Sequence, residues 1–234
     1  MSTESPDRLL YPWLGRSAIL LVVLLAFGLR AYHLDFQSLW SDEGLTLLRS
    51  AQPLDQLLAT MPVEQLPGYF VLVHFWLPWA GDHDYALRFF SLWPSVLVVA
   101  LVYRLAADLG GRAAGVSAAL LLATSAFQLW YAQEARTYSW LIASSLWASW
   151  SLWRLLYGAA SQRRYFTISY TVAMILTVYQ HFYAFLVPLA HTVFVLGWLI
   201  YRQQWRIFWH WVAAGLITLL CFAPWVARAW QIFG

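Results

Sequence analysis

Two neighbouring carboxylates, Asp42 and Glu43, stand in the stretch SLWSDEGLTLLRS (38–50), just beyond an apolar run long enough to cross a membrane. Two uses suit such a pair. Ser41 or Asp42 can cap a helix start, where an acid in the first turn complements the helix dipole. A carboxylate partly withdrawn from water at a membrane edge is also suited to general-base work. A second group is EQLPGYF, in which Glu64 and Gln65 precede Pro67; proline at a helix start is ordinary. A third is LWYAQEARTYSW (129–140), which packs Tyr131, Gln133, Glu134, Arg136 and Tyr138 between two apolar runs. It reads either as an interfacial aromatic belt with a local Glu134–Arg136 pair or as a cationic site for an anionic headgroup. His181, in YQHFYAF, lies near the outer end of a span and within reach of the same region. His191 falls in a membrane interior, where a polar residue is a functional candidate, although a satisfied structural histidine explains each histidine as well. No HExxH or other metal spacing occurs. The sequence leaves room for a divalent ion held by Asp42, Glu43 and outer carboxylates, and no motif calls for one.

The elements that must carry these residues belong to a membrane protein. Of 234 residues, 62% are hydrophobic, 18% aromatic and only 11% charged, whereas a soluble domain carries roughly 25% charge. Sixteen Trp and thirteen Tyr suit two interfacial belts. The single cysteine, Cys221, excludes an internal disulfide and reads as a small buried hydrophobe. All fourteen cations are arginines, scattered in ones and twos between apolar runs, so they read as topology signals and not as a nucleic-acid surface. The run SAILLVVLLAFGLRAY is long for a signal peptide, and no small-x-small cleavage site precedes Asp35. An uncleaved first span is expected.

Seven segments approach the about 20 apolar residues that a crossing needs: 17–33, 86–104, 113–130, 138–157, 165–181, 184–201 and 208–226. The stretch from Pro67, PGYFVLVHFWLPWAG, is short and contains His74 and Pro78, which predicts a re-entrant or interfacial helix. The arginines test that choice. With a cytoplasmic N-terminus and no crossing at Pro67, Arg8, Arg16, Arg104, Arg112, Arg154, Arg163, Arg164, Arg202 and Arg206 lie inside, nine of fourteen. A crossing there would leave five inside, so the positive-inside rule favours the first topology. It also gathers Asp35, Asp42, Glu43, Asp55, Glu64, Asp82, Asp84 and Glu134 on the outer face, leaving only Glu4, Asp7 and Asp108 inside. The expected architecture is an all-α membrane protein, a single module over 1–234 with about seven transmembrane helices and a long outer loop, about 34–84, bearing juxtamembrane or re-entrant helices.

In order, an opening span, WSDEG, QLPGYF, DYALRFFSLWPSVLVVALVYRLAADLGGRAAG, WYAQEARTYSW and YQHFYAF resemble the membrane glycosyltransferases of the GT-C class. More narrowly, the chain is similar to the protein mannosyltransferase/aminoarabinose transferase-like branch, including bacterial Rgt-type transferases, from about Leu20 to about Tyr201. The resemblance implies a transferase of the cytoplasmic membrane that takes a sugar from a polyprenyl-phosphate carrier. The acceptor hydroxyl, on a lipid, glycan or protein, attacks on the outer, periplasmic face, and a single displacement inverts the anomeric carbon. It implies Asp42 as general base with Glu43 its partner, Glu64 as the acid before the second motif, and Glu134, Arg136 and Tyr138 bordering the same cavity. Gln65, Tyr131 and His181 join the substrate-binding set, and Arg136, Arg88 or Arg49 would stabilise the departing phosphate. The family commonly has His-Pro-Pro where this chain has Gln65-Leu66-Pro67. Members carry more spans, often with an outer C-terminal domain, so the chain reads as a minimal module or as the N-terminal part of a longer protein. Two other classes stay open: a non-catalytic polyprenyl-lipid-binding or assembly protein that keeps the fold, and a transporter, which would show a repeated half and broken midplane helices.

Overall fold

The computed structural model describes residues 12–233. Glu4, Asp7 and Arg8 lie outside the described residues, as does the side chain of Arg16. Among the described residues the chain is helical throughout, with no strand. A lipid environment leaves backbone N–H and C=O groups no partner but one another, and a helix satisfies them within the segment. The elements are α1 (Pro12–Ala31), α2 (Ser41–Ser50), α3 (Leu54–Thr60), α4 (Gly68–Ala80), α5 (Asp84–Ala123), α6 (Ala126–Ala132), α7 (Tyr138–Tyr157), α8 (Arg163–Val178), α9 (Leu186–Arg202) and α10 (Trp205–Phe233).

By length and hydropathy, three of the described helices suffice to cross a membrane: Asp84–Ala123, Phe182–Arg202 and Trp205–Ile232. The apolar helix Ser17–Ala31 is shorter. Helix α7 has the bounds predicted for it, but buried serines along α7 and hydroxyl residues along α8 (Ser144, Ser151, Ser169, Thr171) lower the hydropathy of both. The single helix predicted over 113–130 is broken. Its helix ends at Ala123, and Ser125 caps the separate α6, its Oγ accepting from the Gln128 N–H. The two halves of α5 meet at Gly111, whose φ of 85° and ψ of 176° suit a residue without Cβ.

The bundle has two polar ends. Twenty residues separate Arg88 from Asp108 on α5, about 30 Å at 1.5 Å per residue, which matches the hydrocarbon thickness. At the Asp108 end, its Oδ2 accepts from Trp150 Nε1 (3.0 Å) and pairs with Arg154 (3.6 Å). At the Arg88 end lie α2, α3 and α4. Helix α4 stretches across that end: Gly68 N–H donates to the Tyr179 carbonyl (2.9 Å), His74 Nδ1 bonds the Ser50 carbonyl (2.9 Å) and Trp76 Nε1 donates to the Ala86 carbonyl (2.9 Å). Its thirteen residues reach about 20 Å, short of a crossing.

One core cluster joins α3, α4, α7, α8, α9 and α10 through residues such as Leu57, Phe70, Leu155, Met174, Val195 and Trp225. A second, small-residue seam joins α1 to both halves of α5 through Val22, Ala26, Val99, Ala119 and Ala123, the close approach that small side chains permit. Arg30 seals that seam. It is fully buried, and its guanidinium donates to Ser95 Oγ (2.8 Å) and to the Ala26, Ala123 and Leu122 carbonyls. His191 is satisfied by Ser149 Oγ (3.1 Å) and Tyr170 Oη (3.2 Å), a structural role. Cys221, expected to be buried, is exposed on α10, whose apolar side chains face outward in large part, as Leu216, Leu219 and Leu220 do.

Glycine is required at position 68. A Cβ there would stand 2.4 Å from the Tyr179 carbonyl oxygen and 2.8 Å from its carbon. Gly68→Ala is therefore expected to part α4 from α8 and to destabilise the protein by about 1–3 kcal/mol, the usual range for overpacking. A lowered thermal unfolding midpoint in detergent checks it; an unchanged midpoint would show that the contact is not required.

Candidate active site

Helix α2 starts at the N-cap Trp40, whose extended backbone (φ −84°, ψ 172°) turns the chain into the helix. Glu43, at the third helical position, accepts the Trp40 N–H at 3.4 Å. The helix-start role thus falls to Glu43, and neither Ser41 nor Asp42 is the cap. Glu43 has no exposed surface. Its Oε2 lies 2.7 Å from Arg88 Nη2, while its Oε1 accepts from Arg88 Nε (3.0 Å) and from the Ala135 N–H (2.7 Å). The rest of the Arg88 guanidinium donates to the carbonyls of Leu34 (3.1 Å), Gln37 (2.6 Å) and Ser38 (3.3 Å). Both side chains, expected at the substrate, have their polar atoms committed to protein partners. A bidentate carboxylate–guanidinium pair is the form in which burial of two charges is tolerated.

Asp42 points elsewhere. Its side chain is 44% exposed, and Oδ2 lies 3.4 Å from Arg136 Nη2. Arg136 Nη1 donates to the Asp42 carbonyl (3.5 Å), and the guanidinium lies 6.0 Å from the Tyr138 ring centroid. The local Glu134–Arg136 ion pair read from the sequence does not form: Glu134 Oε1 accepts from Trp130 Nε1 (2.7 Å), and Arg136 turns to Asp42. Tyr138 also lies 6.3 Å, centroid to centroid, from His181 and 4.6 Å from Tyr131.

Two cavities flank this N-terminus. The smaller, about 150 Å³, is lined by Glu64, Gln65, Arg136 and His181, together with Thr46, Leu66, Tyr69, Phe70, Thr137, Gln180 and Phe182. It gathers four of the residues expected to bind substrate. Arg49 reaches Gln65, donating to its Oε1, and stands 5.8 Å from the Phe70 ring centroid. Burial, reinforced by the Arg136 charge, lowers the pKa of His181 below its ordinary value and keeps the ring neutral at pH 7. The larger cavity, about 380 Å³, is lined by Glu43, Arg88 and Glu134 with His33, Leu34, Phe36, Gln37, Ser38, Trp40, Trp130 and Gln133. Burial raises the pKa of Glu134, against the opposing hydrogen bond from Trp130. Tyr131 lines neither cavity and packs on Phe127 and Tyr138.

Sequence reasoning passed over Gln180, which is buried, accepts from Thr137 Oγ1 at 2.9 Å and has no partner for Nε2. Its signal was a polar residue next to His181 at the end of an apolar helix. The aromatic residues of the larger cavity, Trp40 and Trp130, were hidden among many belt tryptophans. Among the described residues no group of three or more His, Cys, Asp or Glu side chains is placed to hold a metal ion.

Comparison with known proteins adds a family. The family model described as dolichyl-phosphate-mannose-protein mannosyltransferase matches residues 65–228. No curated protein matches the chain, and no solved structure does.

Removing one partner of the buried pair strands the other. Glu43→Gln is expected to cost about 3–5 kcal/mol, read as a large drop in the thermal midpoint of the purified protein; a drop no greater than that of Asp42→Asn would contradict it. Arg136→Gln removes one of the two causes that lower the His181 pKa, so ring titration followed by NMR should move towards 6.5, the ordinary value. An unmoved titration would exclude the Arg136 contribution.

Proposed function

The chain belongs to the dolichyl-phosphate-mannose-protein mannosyltransferase family, membrane glycosyltransferases of the GT-C class, and from that premise we propose that it transfers a sugar from a polyprenyl-phosphate carrier to an acceptor hydroxyl on the outer face of the cytoplasmic membrane. Seven crossings are assigned to α1, the first half of α5, the second half of α5 continued by α6, and α7, α8, α9 and α10, with α2, α3 and α4 on the outer side. The observation that carries the reading is the Asp42–Arg136 contact of 3.4 Å beside a cavity that also holds Glu64, Gln65 and His181. It sets a half-exposed carboxylate against a fixed cation.

Asp42 takes the acceptor proton as the acceptor oxygen bonds to the anomeric carbon. The bond from that carbon to the carrier phosphate breaks, and its electrons leave with the phosphate. Charge that grows on the phosphate oxygens is met by Arg136, which the Tyr138 ring and the Asp42 carbonyl hold in place. A single displacement of this kind inverts the anomeric configuration. Glu64, Gln65 and His181 border the donor head, and the apolar sides of Leu66 and Phe70 lead towards the lipid tail. Glu43 serves as a positioning residue: its bonds to Arg88 and Ala135 set the register of α2, and with it the direction of Asp42.

Asp42→Asn tests the base, since loss of general-base catalysis costs about 10²–10⁴-fold in rate. Labelled sugar should pass from polyprenyl-phosphate donors to membrane lipids and glycans with the wild-type chain and fall by that factor in the variant, while carrier-lipid binding persists. Equal transfer by both proteins would remove Asp42 from the mechanism. Carrier binding without transfer by the wild type would favour a non-catalytic lipid-binding protein.

A further inference from the structure

We propose that the larger cavity is an acceptor subsite that takes a neutral sugar ring against the face of Trp130, with Gln133 and Glu134 receiving its hydroxyl protons; the assignment as acceptor rests on the transferase reading above. The orientation of Trp130 is the first argument. Its residue is 67% exposed, yet its Nε1 donates to Glu134 Oε1 at 2.7 Å. A belt tryptophan turns its N–H towards water and headgroups. Here the N–H is spent on a side chain one helical turn away, which fixes the indole and leaves its apolar surface bare.

The polar groups around the ring are fixed in the same manner. Gln133 Nε2 donates to the carbonyls of Arg30 (3.1 Å) and Tyr32 (2.8 Å), so its Oε1 is held in one orientation and accepts no hydrogen bond from the described residues. Glu134 uses one oxygen on Trp130 and keeps the other free of protein partners among the described residues. Two preset acceptors beside a bare aromatic face match a ring that carries hydroxyl donors on its rim and C–H groups on its face. Charge decides against a phosphate. The Glu43 and Arg88 charges at the wall cancel as a bonded pair, and the remaining charged lining residue is the acid Glu134. A volume of about 380 Å³ falls within the roughly 300–1,000 Å³ typical of small-molecule sites. The placement also suits the chemistry: the larger cavity is walled by Glu43 and the smaller by Arg136, the neighbour and the ion-pair partner of the half-exposed Asp42.

The test uses the purified full chain in lipid nanodiscs, with mannotriose, cellotriose and maltotriose as probes and inorganic phosphate as control, followed by saturation-transfer NMR. At least one trisaccharide should bind the wild type and Asp42→Asn alike. Trp130→Ala should weaken that binding about tenfold or more, Trp130→Phe should restore most of it, Glu134→Gln should weaken it, and phosphate should not compete. In the transfer assay, Trp130→Ala should raise the acceptor KM about tenfold with kcat and donor KM little changed. Absence of binding by all three trisaccharides to folded wild type overturns the site, as does equal affinity in Trp130→Ala and Glu134→Gln or displacement by phosphate. The two readings fail separately. Trp130-dependent sugar binding without transfer removes the transferase reading and keeps the site, whereas transfer with a Trp130-independent acceptor KM removes the site and keeps the reading.

Discussion

The buried Glu43–Arg88 pair is the joint on which this end of the bundle, with α2, α3 and α4, depends. Five parts of the chain meet there: the loop 34–38 through three carbonyls, the start of α2 through the Trp40 N–H, α2 itself, α5 through Arg88, and the segment before α7 through the Ala135 N–H. Two opposite charges taken out of water cost several kcal/mol each unless every lone pair and proton finds a partner. Here the partners are backbone groups of otherwise unconnected segments, so satisfying the charges also fixes the segments. The direction of Asp42 follows from that joint. With Glu43 held towards Arg88, the preceding residue on the helix faces Arg136.

Backbone carbonyls set a wider rule for the arginines. Arg30 collects the last carbonyls of α5, Arg88 those of the loop 34–38, and Arg228 on α10 those of Leu58, Ala59 and Met61 at the end of α3. Carbonyls at helix ends and in loops lack intrahelical partners, and near a bilayer water is scarce. A guanidinium offers five donors in one plane and favours the negative end of a helix dipole. Positions that read in one dimension as topology signals are thus also fasteners between segments distant in sequence.

Much of the scaffold was legible because one-dimensional patterns carry it. The apolar run from Tyr138 to Tyr157 has the length and flanks of a helix, and α7 occupies those residues. Length likewise marked the stretch after Pro67 as too short to cross, and α4 lies over the bundle end. The break inside 113–130 was not legible because hydropathy does not register where a helix breaks: Ser125 caps a new helix, and Arg30 takes the carbonyls of Leu122 and Ala123, contacts 92 and 93 residues away in sequence.

Residue types and order single out Asp42, Glu43, Glu64, Gln65, Arg136 and His181 as candidates because these functional groups sit in short, unusual motifs, and the fold brings Glu64, Gln65, Arg136 and His181 to one cavity. Their division of labour was not contained in those motifs. Asp42 and Glu43 are neighbours with nearly the same chemistry, and local pattern cannot separate them. Packing does so, because successive helical residues point about 100° apart and only one direction faces Arg88. In the same way, Glu134 and Arg136 are close enough in sequence to pair, yet each finds its partner elsewhere, in Trp130 and Asp42. Composition and spacing established a helical membrane protein. Which carboxylate is held and which is free depends on contacts between distant segments, and those exist only once the helices have packed.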